Sequence, residues 1–455
     1  MSTVIKKILR FLGFDRAVTF GILARVWSLF SGPITMLVIA TGFSPAQQGF
    51  YFTFSSLLAL QTFFDLGLMF VVAQFASHEF VGLTWGKNGT LTGEAVPLRR
   101  FTDLVYKTTL WFGVAALLMM AILIPAGLVF FGQKEAGSFS WRLPWILAVV
   151  GTALNLFVMP FFAIVLGSGD VVTVNKRELV AAVLGSVMCW SVIGLHGGLY
   201  AVFAVNLGAL CISWGYLLTM RRELVKLAWR GWFGKDREVR NGGLSWWNEI
   251  WPMQWRMAVS SGSAYFIFQF FNPIIFQYHG SVVAGQMGMT LTATNALIAG
   301  SMTLLNAKTP EFGKLIAVKD WQGLDSLFIT SLKKCLLLVL MGAAVGTLVI
   351  WVLQNYFTIG KRFLPAWQAS ILFATAFFQI FAGGFANYLR AHKQEPLMKL
   401  TVYCALLQGT LTWYLGKNYA AVGAASGYLA VTALVVVPCG YFIWRRCRRE
   451  WHVSL

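Results

Sequence analysis

The feature that most constrains the fold of this chain is a series of long apolar segments that recurs along its whole length. A helix that spans a bilayer needs about 20 consecutive, mostly apolar residues. Twelve segments meet this requirement: 17–41, 47–77, 105–131, 144–168, 178–195, 198–220, 248–278, 282–307, 326–354, 364–389, 397–415 and 420–444. We therefore expect an all-α polytopic membrane protein with 12 transmembrane helices.

The overall composition supports this interpretation. Of the 455 residues, 58% are hydrophobic and 12% are charged, whereas a soluble domain carries about 25% charged residues. A soluble protein of this size would have to bury most of these apolar side chains in one or two cores, and there are too many to bury. The net charge of +19 would point to nucleic acid in a soluble protein. In a membrane protein its position matters more, and no nucleic-acid partner is expected.

Lysine and arginine are distributed unevenly between the loops. Of the 36 residues of these two types, 29 lie at the termini and in the even-numbered loops, and 5 lie in the odd-numbered loops. Basic loops remain on the cytoplasmic side of a membrane. Both termini and the longest loop, 221–246, are therefore predicted to be cytoplasmic.

The loop at 221–246 divides the sequence into two sets of six segments. We predict an N-terminal six-helix lobe over 1–220, a cytoplasmic interfacial linker over 221–246, and a C-terminal six-helix lobe with a basic cytoplasmic tail over 247–455. The apolar residues of the linker share one face of a basic helix: Leu224, Leu227, Ala228, Trp229 and Trp232. Such a helix favours binding to the anionic inner membrane surface, and an ordinary solvated linker is the alternative.

The two sets of segments show a weak internal repeat. Because six is an even number, both sets begin on the cytoplasmic side, so any repeat is parallel, about an axis along the membrane normal. Arg25 and Arg256 each lie early in the first segment of their set, and AQQG at 46–49 is similar to AGQMG at 284–288. We expect two parallel-repeat six-helix lobes around a central cavity.

Signatures of catalysis and metal binding are scarce. The sequence contains no GxxxxGK[ST] motif, and the glycine-rich stretch at 86–93 follows no predicted strand. His78-Glu79 does not continue as HExxH, because position 82 is Gly82. The six cysteines form no CxxC pair, so neither a disulfide framework nor a metal site is indicated. We expect no enzymatic activity, no cofactor and no bound metal.

Three charged residues, Arg25, Asp65 and Arg256, lie well inside predicted segments. A charge at mid-membrane costs roughly 2.5–3.5 kcal/mol, so each needs a cavity or a partner. One interpretation is a cavity in which the two arginines, from opposite halves, bind phosphate or diphosphate through bidentate hydrogen bonds. The alternative is an Arg25–Asp65 ion pair, with Arg256 extending toward the inner surface.

Other residues are candidates for moving parts. Gly32-Pro33 in segment 1 and Pro273 in segment 7 interrupt helices, and in membrane transporters such breaks allow bending. A static kink is the alternative at each position. His78 and Glu79, at the inner end of segment 2, are candidates for a cytoplasmic gate, and the alternative is that they cap or solvate the helix end.

Short motifs near the start of each half carry a resemblance. They are RVW at 25–27, SGP at 31–33, QGFYF at 48–52, DLGL at 65–68, EIWPMQWR at 249–256 and AGQMG at 284–288. In these motifs the chain resembles polysaccharide-biosynthesis flippases of the multidrug/oligosaccharidyl-lipid/polysaccharide (MOP) superfamily. The motifs are similar over about 25–80 and 248–290, and the topology is similar over essentially the whole chain.

The resemblance implies two six-helix lobes in a V shape and alternating access. It implies transport of an undecaprenyl-diphosphate-linked oligosaccharide across the bacterial inner membrane, for surface polysaccharide biosynthesis. Arg25 and Arg256 then correspond to arginines that meet the diphosphate of the substrate. Asp65 corresponds to an acidic partner or a site for a coupling ion, either a proton or sodium, and membrane lipids are further partners.

Two other functions remain open. A drug or cation antiporter of the same superfamily would need acidic residues to bind a cation or exchange a proton, and this chain offers one intramembrane acid against two arginines. A membrane-embedded polysaccharide ligase or polymerase would need a large outer loop with paired catalytic residues. No outer loop of that size is predicted.

Overall fold

The computed structural model describes residues 16–86, 90–133, 139–233 and 243–452, with side chains from residue 19 onward. Eight of the basic residues used to orient the chain lie outside the described residues: Lys6, Lys7, Arg10, Lys87, Lys134 and, in the middle of the linker at 234–242, Lys235, Arg237 and Arg240. The orientation of the chain in the membrane therefore stays a prediction from the sequence.

Helices make up nearly all of the secondary structure. In chain order they are α1 (Arg16–Gly42), α2 (Pro45–Leu58), α3 (Thr62–Asp65), α4 (Leu68–Glu79), α5 (Ala95–Gly132), α6 (Arg142–Gly167), α7 (Val171–Gly194), α8 (Tyr200–Met220), α9 (Arg222–Phe233), α10 (Trp251–Phe268), α11 (Phe271–His279), α12 (Ser281–Ala317), α13 (Trp321–Tyr356), α14 (Ala366–Ala391), α15 (Met398–Val431) and α16 (Val437–His452). Single turns of 3-10 helix or π-helix occupy 59–61, 246–250, 358–362 and 432–436. The only two strands among the described residues, β1 (Leu83–Trp85) and β2 (Leu91–Gly93), pair antiparallel.

Each predicted segment coincides with helix, but the count of twelve is not confirmed. Among the described residues, nine helices are long and apolar enough to cross a membrane, or ten if the bent pair Pro45–Asp65 and Leu68–Glu79 is one span. Segments 11 and 12 run together as Met398–His452, with non-helical backbone at Tyr419 and Ala420. Segment 7 is divided into α10 and α11, and neither piece is among the nine.

The described chain forms two compact units, of which the first comprises Met1–Val38 and Leu58–Gly262. Within this unit α6 packs against α4, α5 and α8. Its fully buried Trp145 donates a hydrogen bond from Nε1 to the carbonyl of Leu123 at 3.2 Å. α1 packs against α7, where Trp190 Nε1 donates to Thr35 Oγ1 at 2.8 Å.

The second unit comprises Ile39–Leu57 and Ser263–Leu455. Within it α14 packs against α12, α13, α15 and α16. Its core combines aliphatic residues with the aromatic residues Phe312, Phe328 and Tyr388, which are almost completely buried. Residues 39–57 therefore pack with the second unit, although the sequence assigns them to the N-terminal lobe. Residues 247–262 pack with the first unit, although the sequence assigns them to the C-terminal lobe.

The two similar motifs at 46–49 and 284–288 pack against each other inside the second unit. A Cβ atom at Gly49 would lie 1.8 Å from the Ser281 carbonyl oxygen, and one at Gly285 would lie 2.8 Å from the Gly49 nitrogen. Gln48 Nε2 donates to the Gly285 carbonyl at 2.9 Å. The glycines are therefore required for close helix packing.

Two loop features lie in the first unit. The helix predicted in the linker is present as α9, and its buried Leu224 and Ala228 face the protein, while Trp229 is 64% exposed. The expectation that no strand precedes the glycines at 86–93 is wrong, because β1 ends at Trp85. The Gly86 nitrogen donates to the Thr90 carbonyl at 2.8 Å, which closes a hairpin that a short sequence of mixed polarity does not reveal.

Candidate functional site

The helix of segment 2 is broken directly after Asp65. Leu66 and Gly67 adopt the left-handed conformation, with φ of 52° and 65°, and the helix axis bends by 41° at this point. This conformation is easy for glycine and uncommon for leucine. The sequence predicts one continuous span over 47–77, and Gly67 is the residue that could have located the break.

The carboxylate of Asp65 has few partners in the described part of the chain. Its Oδ1 is buried and accepts no hydrogen bond there, and the backbone of Met69 lies within hydrogen-bonding reach of the side chain. No ion pair joins Asp65 to Arg25 among the described residues, so the predicted alternative of a structural pair is not formed here. A partly buried carboxylate without an ion-pair partner among the described residues, at the C-terminal end of a helix, favours binding of a proton or a cation.

The two arginines that the sequence predicts to lie inside the membrane are both exposed. Arg25 lies on α1 and Arg256 on α10, where its Cζ lies 5.8 Å from the centre of the Trp255 ring. Neither arginine forms an ion pair with a described acidic residue. The sequence places them in opposite halves, whereas their contacts place both in the first unit. Guanidinium groups without a carboxylate partner are available to an anionic ligand.

The helix that carries Arg256 packs on the break that follows Asp65. A Cβ atom at Gly67 would lie 2.7 Å from the Cβ of Met257, so only glycine allows this approach. On the same helix Gln254 is completely buried, and neither its amide nitrogen nor its oxygen has a hydrogen-bond partner among the described residues. Sequence reasoning missed Gln254 as a residue of the site, although an amide side chain inside an apolar segment could have drawn attention to it.

The three predicted hinge residues occupy different settings. Gly32 and Pro33 lie inside α1, which continues through them, and a Cβ atom at Gly32 would meet no atom within 4 Å. Pro273 is the third residue of α11 and follows the break of segment 7 at 269–270. Proline fits the first turn of a helix. Inside a helix it has no backbone N–H to donate, and its ring clashes with the preceding turn, which explains why the helix breaks before Pro273. Bending at these positions stays a prediction.

Of the two predicted gate residues, Glu79 belongs to an ionic network. Arg100 Nε donates to both carboxylate oxygens of Glu79 at 2.9 Å, and Arg100 Nη2 donates to Glu249 Oε2 at 2.6 Å. Arg100 Nη1 also donates to the Gly243 carbonyl at 3.3 Å. His78 is exposed and takes no part in this network of described residues.

A second acid holds the same stretch of chain. Asp103 is completely buried, and its Oδ2 accepts hydrogen bonds from Lys107 Nζ at 2.8 Å and from the Leu244 backbone nitrogen at 3.1 Å. Residues 243–250 are therefore fastened to α4 and α5 by paired charges. Sequence reasoning missed this network because its partners are up to 149 residues apart.

Replacing Arg100 with glutamine is expected to release residues 243–250. One charge-assisted hydrogen bond contributes about 1.5–3 kcal/mol, so losing the network raises local opening roughly ten- to a hundredfold. The measurement is the rate at which a membrane-impermeant thiol reagent, added to inside-out membrane vesicles, labels Ser245→Cys in a protein whose exposed Cys211 and Cys439 are changed to serine. Arg230→Gln removes an exposed charge from α9 and is the control. Equal labelling in both variants would contradict the role of the network.

Comparison with known proteins gives the fold. No protein-family model matches the sequence, and no curated protein matches it. An inward-facing multidrug resistance MATE family transporter of the MOP superfamily is similar with a TM-score of 0.70 and 15% identity, covering 97% of this chain and 99% of that chain. The MATE multidrug transporter DinF-BH is similar with a TM-score of 0.59 and 13% identity, covering 96% of this chain and 97% of that chain.

A third solved structure is a MOP superfamily transporter from Pyrococcus furiosus, described by the reverse polarity of its binding pocket. It has a TM-score of 0.51 and 14% identity, and it covers 96% of both chains. At these identities the likeness concerns the fold. The chain is therefore an all-α polytopic membrane protein with the two-lobe fold of the MATE transporters of the MOP superfamily.

Proposed function

We propose that the chain is a secondary transporter of the MOP superfamily and not an enzyme. The observation that carries the proposal is the MATE fold, which extends over 97% of the chain. The unpaired intramembrane charges Arg25, Asp65 and Arg256 add support, because such charges are costly and mark transport pathways. The sequence has no nucleotide-binding motif, so the energy comes from an ion gradient or the membrane potential.

The fold comparison favours a drug or cation antiporter as the first candidate. Two of the similar solved structures are named as multidrug transporters. Asp65 supplies what such a transporter needs, since its carboxylate is partly buried, free of an arginine partner among the described residues, and placed at a helix break. Discontinuous transporter helices commonly hold coupling ions at such ends. In this mechanism a proton or sodium ion competes with the substrate for Asp65.

The charges favour a lipid-linked oligosaccharide flippase as the second candidate. Arg25 and Arg256 are exposed and have no ion-pair partner among the described residues, as a diphosphate site requires. The Pyrococcus furiosus transporter is described by a binding pocket of reverse polarity, which supports anionic substrates as an option for this fold. A sugar-diphosphate head cannot cross hydrocarbon unaided, so alternating access would carry it while the polyprenyl tail stays in the bilayer.

We propose that both termini are cytoplasmic, because 29 of the 36 lysines and arginines fall on one predicted side. The bacterial inner membrane is proposed from the resemblance to polysaccharide-biosynthesis flippases. A structural membrane role is disfavoured, since charges inside the membrane are retained at a cost. The partners that the proposal requires are a transported amphiphile, a coupling ion and the surrounding lipids.

Transport assays in proteoliposomes distinguish the two candidates. One assay follows accumulation of the cationic dye ethidium under an imposed proton or sodium gradient, and the other follows movement of a fluorescent undecaprenyl-diphosphate oligosaccharide between leaflets. Gradient-dependent dye transport alone supports the antiporter, and glycolipid movement alone supports the flippase. Activity in neither assay, with protein correctly inserted, would contradict both substrate assignments.

A further inference from the structure

A polar pocket outside the candidate site opens in the first unit, between the beginning of α7 and the end of α8. Its volume is about 360 Å³, and its charged lining residues are Asp170, Lys176, Arg177 and Arg221. Three cations therefore face one carboxylate. Glu178, the next acid along α7, is exposed and does not line the pocket.

Arg177 is held in place by neutral groups. Its Nε and Nη2 donate to Ser213 Oγ at 3.0 and 2.6 Å, and its Cζ lies 4.6 Å from the centre of the Phe162 ring. No described carboxylate pairs with it, and its Nη1 makes no hydrogen bond with the described residues. An oriented guanidinium group with a free donor and no ion-pair partner among the described residues is suited to binding a phosphate oxygen.

The single acid of the pocket is already engaged. Asp170 Oδ2 accepts a hydrogen bond from Arg221 Nη2 at 2.9 Å, and Asp170 Oδ1 accepts one from the Thr173 backbone nitrogen at 3.2 Å. Arg221 also lies over the Trp85 ring, with its Cζ 4.6 Å from the ring centre. These contacts hold Asp170 and Arg221 in place and leave Lys176 and Arg177 as the cations of the pocket without an ion-pair partner among the described residues.

Thr173 and Tyr216 also line the pocket, and the remaining wall is apolar and continues onto an exposed helix surface. Val180, Ile212 and Met220 line the pocket, and Val180 and Met220 are 37% and 59% exposed. Farther along the same helices Val187 and Val205 are 42% and 40% exposed. A ligand that fits this surface has an anionic head and an apolar chain.

We propose that this pocket binds the phosphate group of an anionic membrane lipid, with Lys176 and Arg177 contacting the phosphate and Val180 and Ile212 contacting the acyl chain. The distribution of basic residues predicts that the pocket faces the cytoplasmic leaflet, whose surface is anionic. The proposal is independent of which substrate the protein transports, because none of these residues belongs to the candidate site.

Native mass spectrometry of the intact protein in detergent, titrated with phosphatidylglycerol or phosphatidylcholine, tests the proposal. We expect the wild-type protein to bind phosphatidylglycerol more tightly than phosphatidylcholine. Arg177→Gln should weaken phosphatidylglycerol binding roughly ten- to a hundredfold, the effect of losing one charge-assisted hydrogen bond. Arg177→Lys should lose less, since it keeps the charge without the two-pronged geometry.

Controls separate this site from general surface charge. Lys176→Gln changes an exposed side chain that makes no hydrogen bond with the described residues, so it tests the site even if Arg177→Gln does not fold. Arg230→Gln removes an exposed arginine from α9 and should leave binding unchanged. Equal phosphatidylglycerol affinity in Lys176→Gln and wild type would overturn the proposal. Displacement by inorganic phosphate, with no preference between the two lipids, would overturn the assignment to lipid in favour of soluble phosphate.

Discussion

Asp65→Asn is expected to reduce gradient-driven transport at least tenfold while leaving the amount of inserted protein unchanged. Asparagine has nearly the same shape as aspartate, but it carries no negative charge and binds no exchangeable proton. Because no described arginine pairs with Asp65, the substitution leaves no cation without its partner. Transport in proteoliposomes under a proton or sodium gradient, normalised to protein amount, is the measurement.

Glu311→Gln is the matched control for Asp65→Asn. Glu311 pairs with Lys308 at 2.9 Å, and both side chains are about half exposed, at 50% and 47%. Exposed pairs of this kind contribute about 0–1 kcal/mol, so this variant should transport normally. If Asp65→Asn lowered abundance and transport by the same factor, Asp65 would have a structural role and the coupling role would be wrong.

The positions of the helices follow closely from the apolar segments. The segments at 17–41 and 144–168 correspond to α1 at Arg16–Gly42 and α6 at Arg142–Gly167. This agreement has a physical cause, because in hydrocarbon a backbone must satisfy its own hydrogen bonds and an apolar stretch of this length has no alternative to a helix. Hydropathy alone therefore predicts where the helices lie.

Breaks within helices are harder to predict, because they depend on local conformation and on neighbours. The break after Asp65 needs Leu66 in a left-handed conformation, which its own side chain disfavours. Packing of Met257 against Gly67 holds this backbone in place, and that contact joins residues 190 positions apart in the sequence. The break before Pro273, in contrast, follows from the chemistry of proline alone.

The candidate site is predictable only in part, because its charged residues are visible in the sequence but their contacts are not. Arg25, Asp65 and Arg256 stand out because a charge inside an apolar segment is conspicuous. Their pairing is not predictable from one sequence, since it depends on which helix faces meet. Sequence order also assigns the two arginines to opposite halves, whereas the contacts of α10 place Arg256 in the same unit as Arg25. Gln254 escapes notice because an uncharged amide changes mean hydropathy little.

Arg25→Leu and Arg256→Leu are expected to distinguish the two candidate functions most clearly, through their effect on transport of the lipid-linked glycan. If the arginines bind a diphosphate, each leucine variant should lose ten- to a hundredfold in transport of the lipid-linked glycan, because one charge-assisted hydrogen bond is worth about 1.5–3 kcal/mol. The lysine variants should keep partial activity, since lysine retains the charge but not the planar geometry. The measurement is surface glycan in a strain lacking the native protein, normalised to the variant in the membrane.

Arg142→Leu is the matched control for both arginine variants. Arg142 is exposed, and its Cζ lies 5.8 Å from the centre of the neighbouring Trp141 ring. The Cζ of Arg256 lies at the same distance from the centre of the Trp255 ring. It lies in a predicted outer loop, so its loss should leave glycan export unchanged. Neither Arg25 nor Arg256 has a described acidic partner, so leucine at these positions should favour insertion and leave the fold intact. Full glycan export by both leucine variants would therefore contradict the anion site and leave cation antiport through Asp65 as the better account.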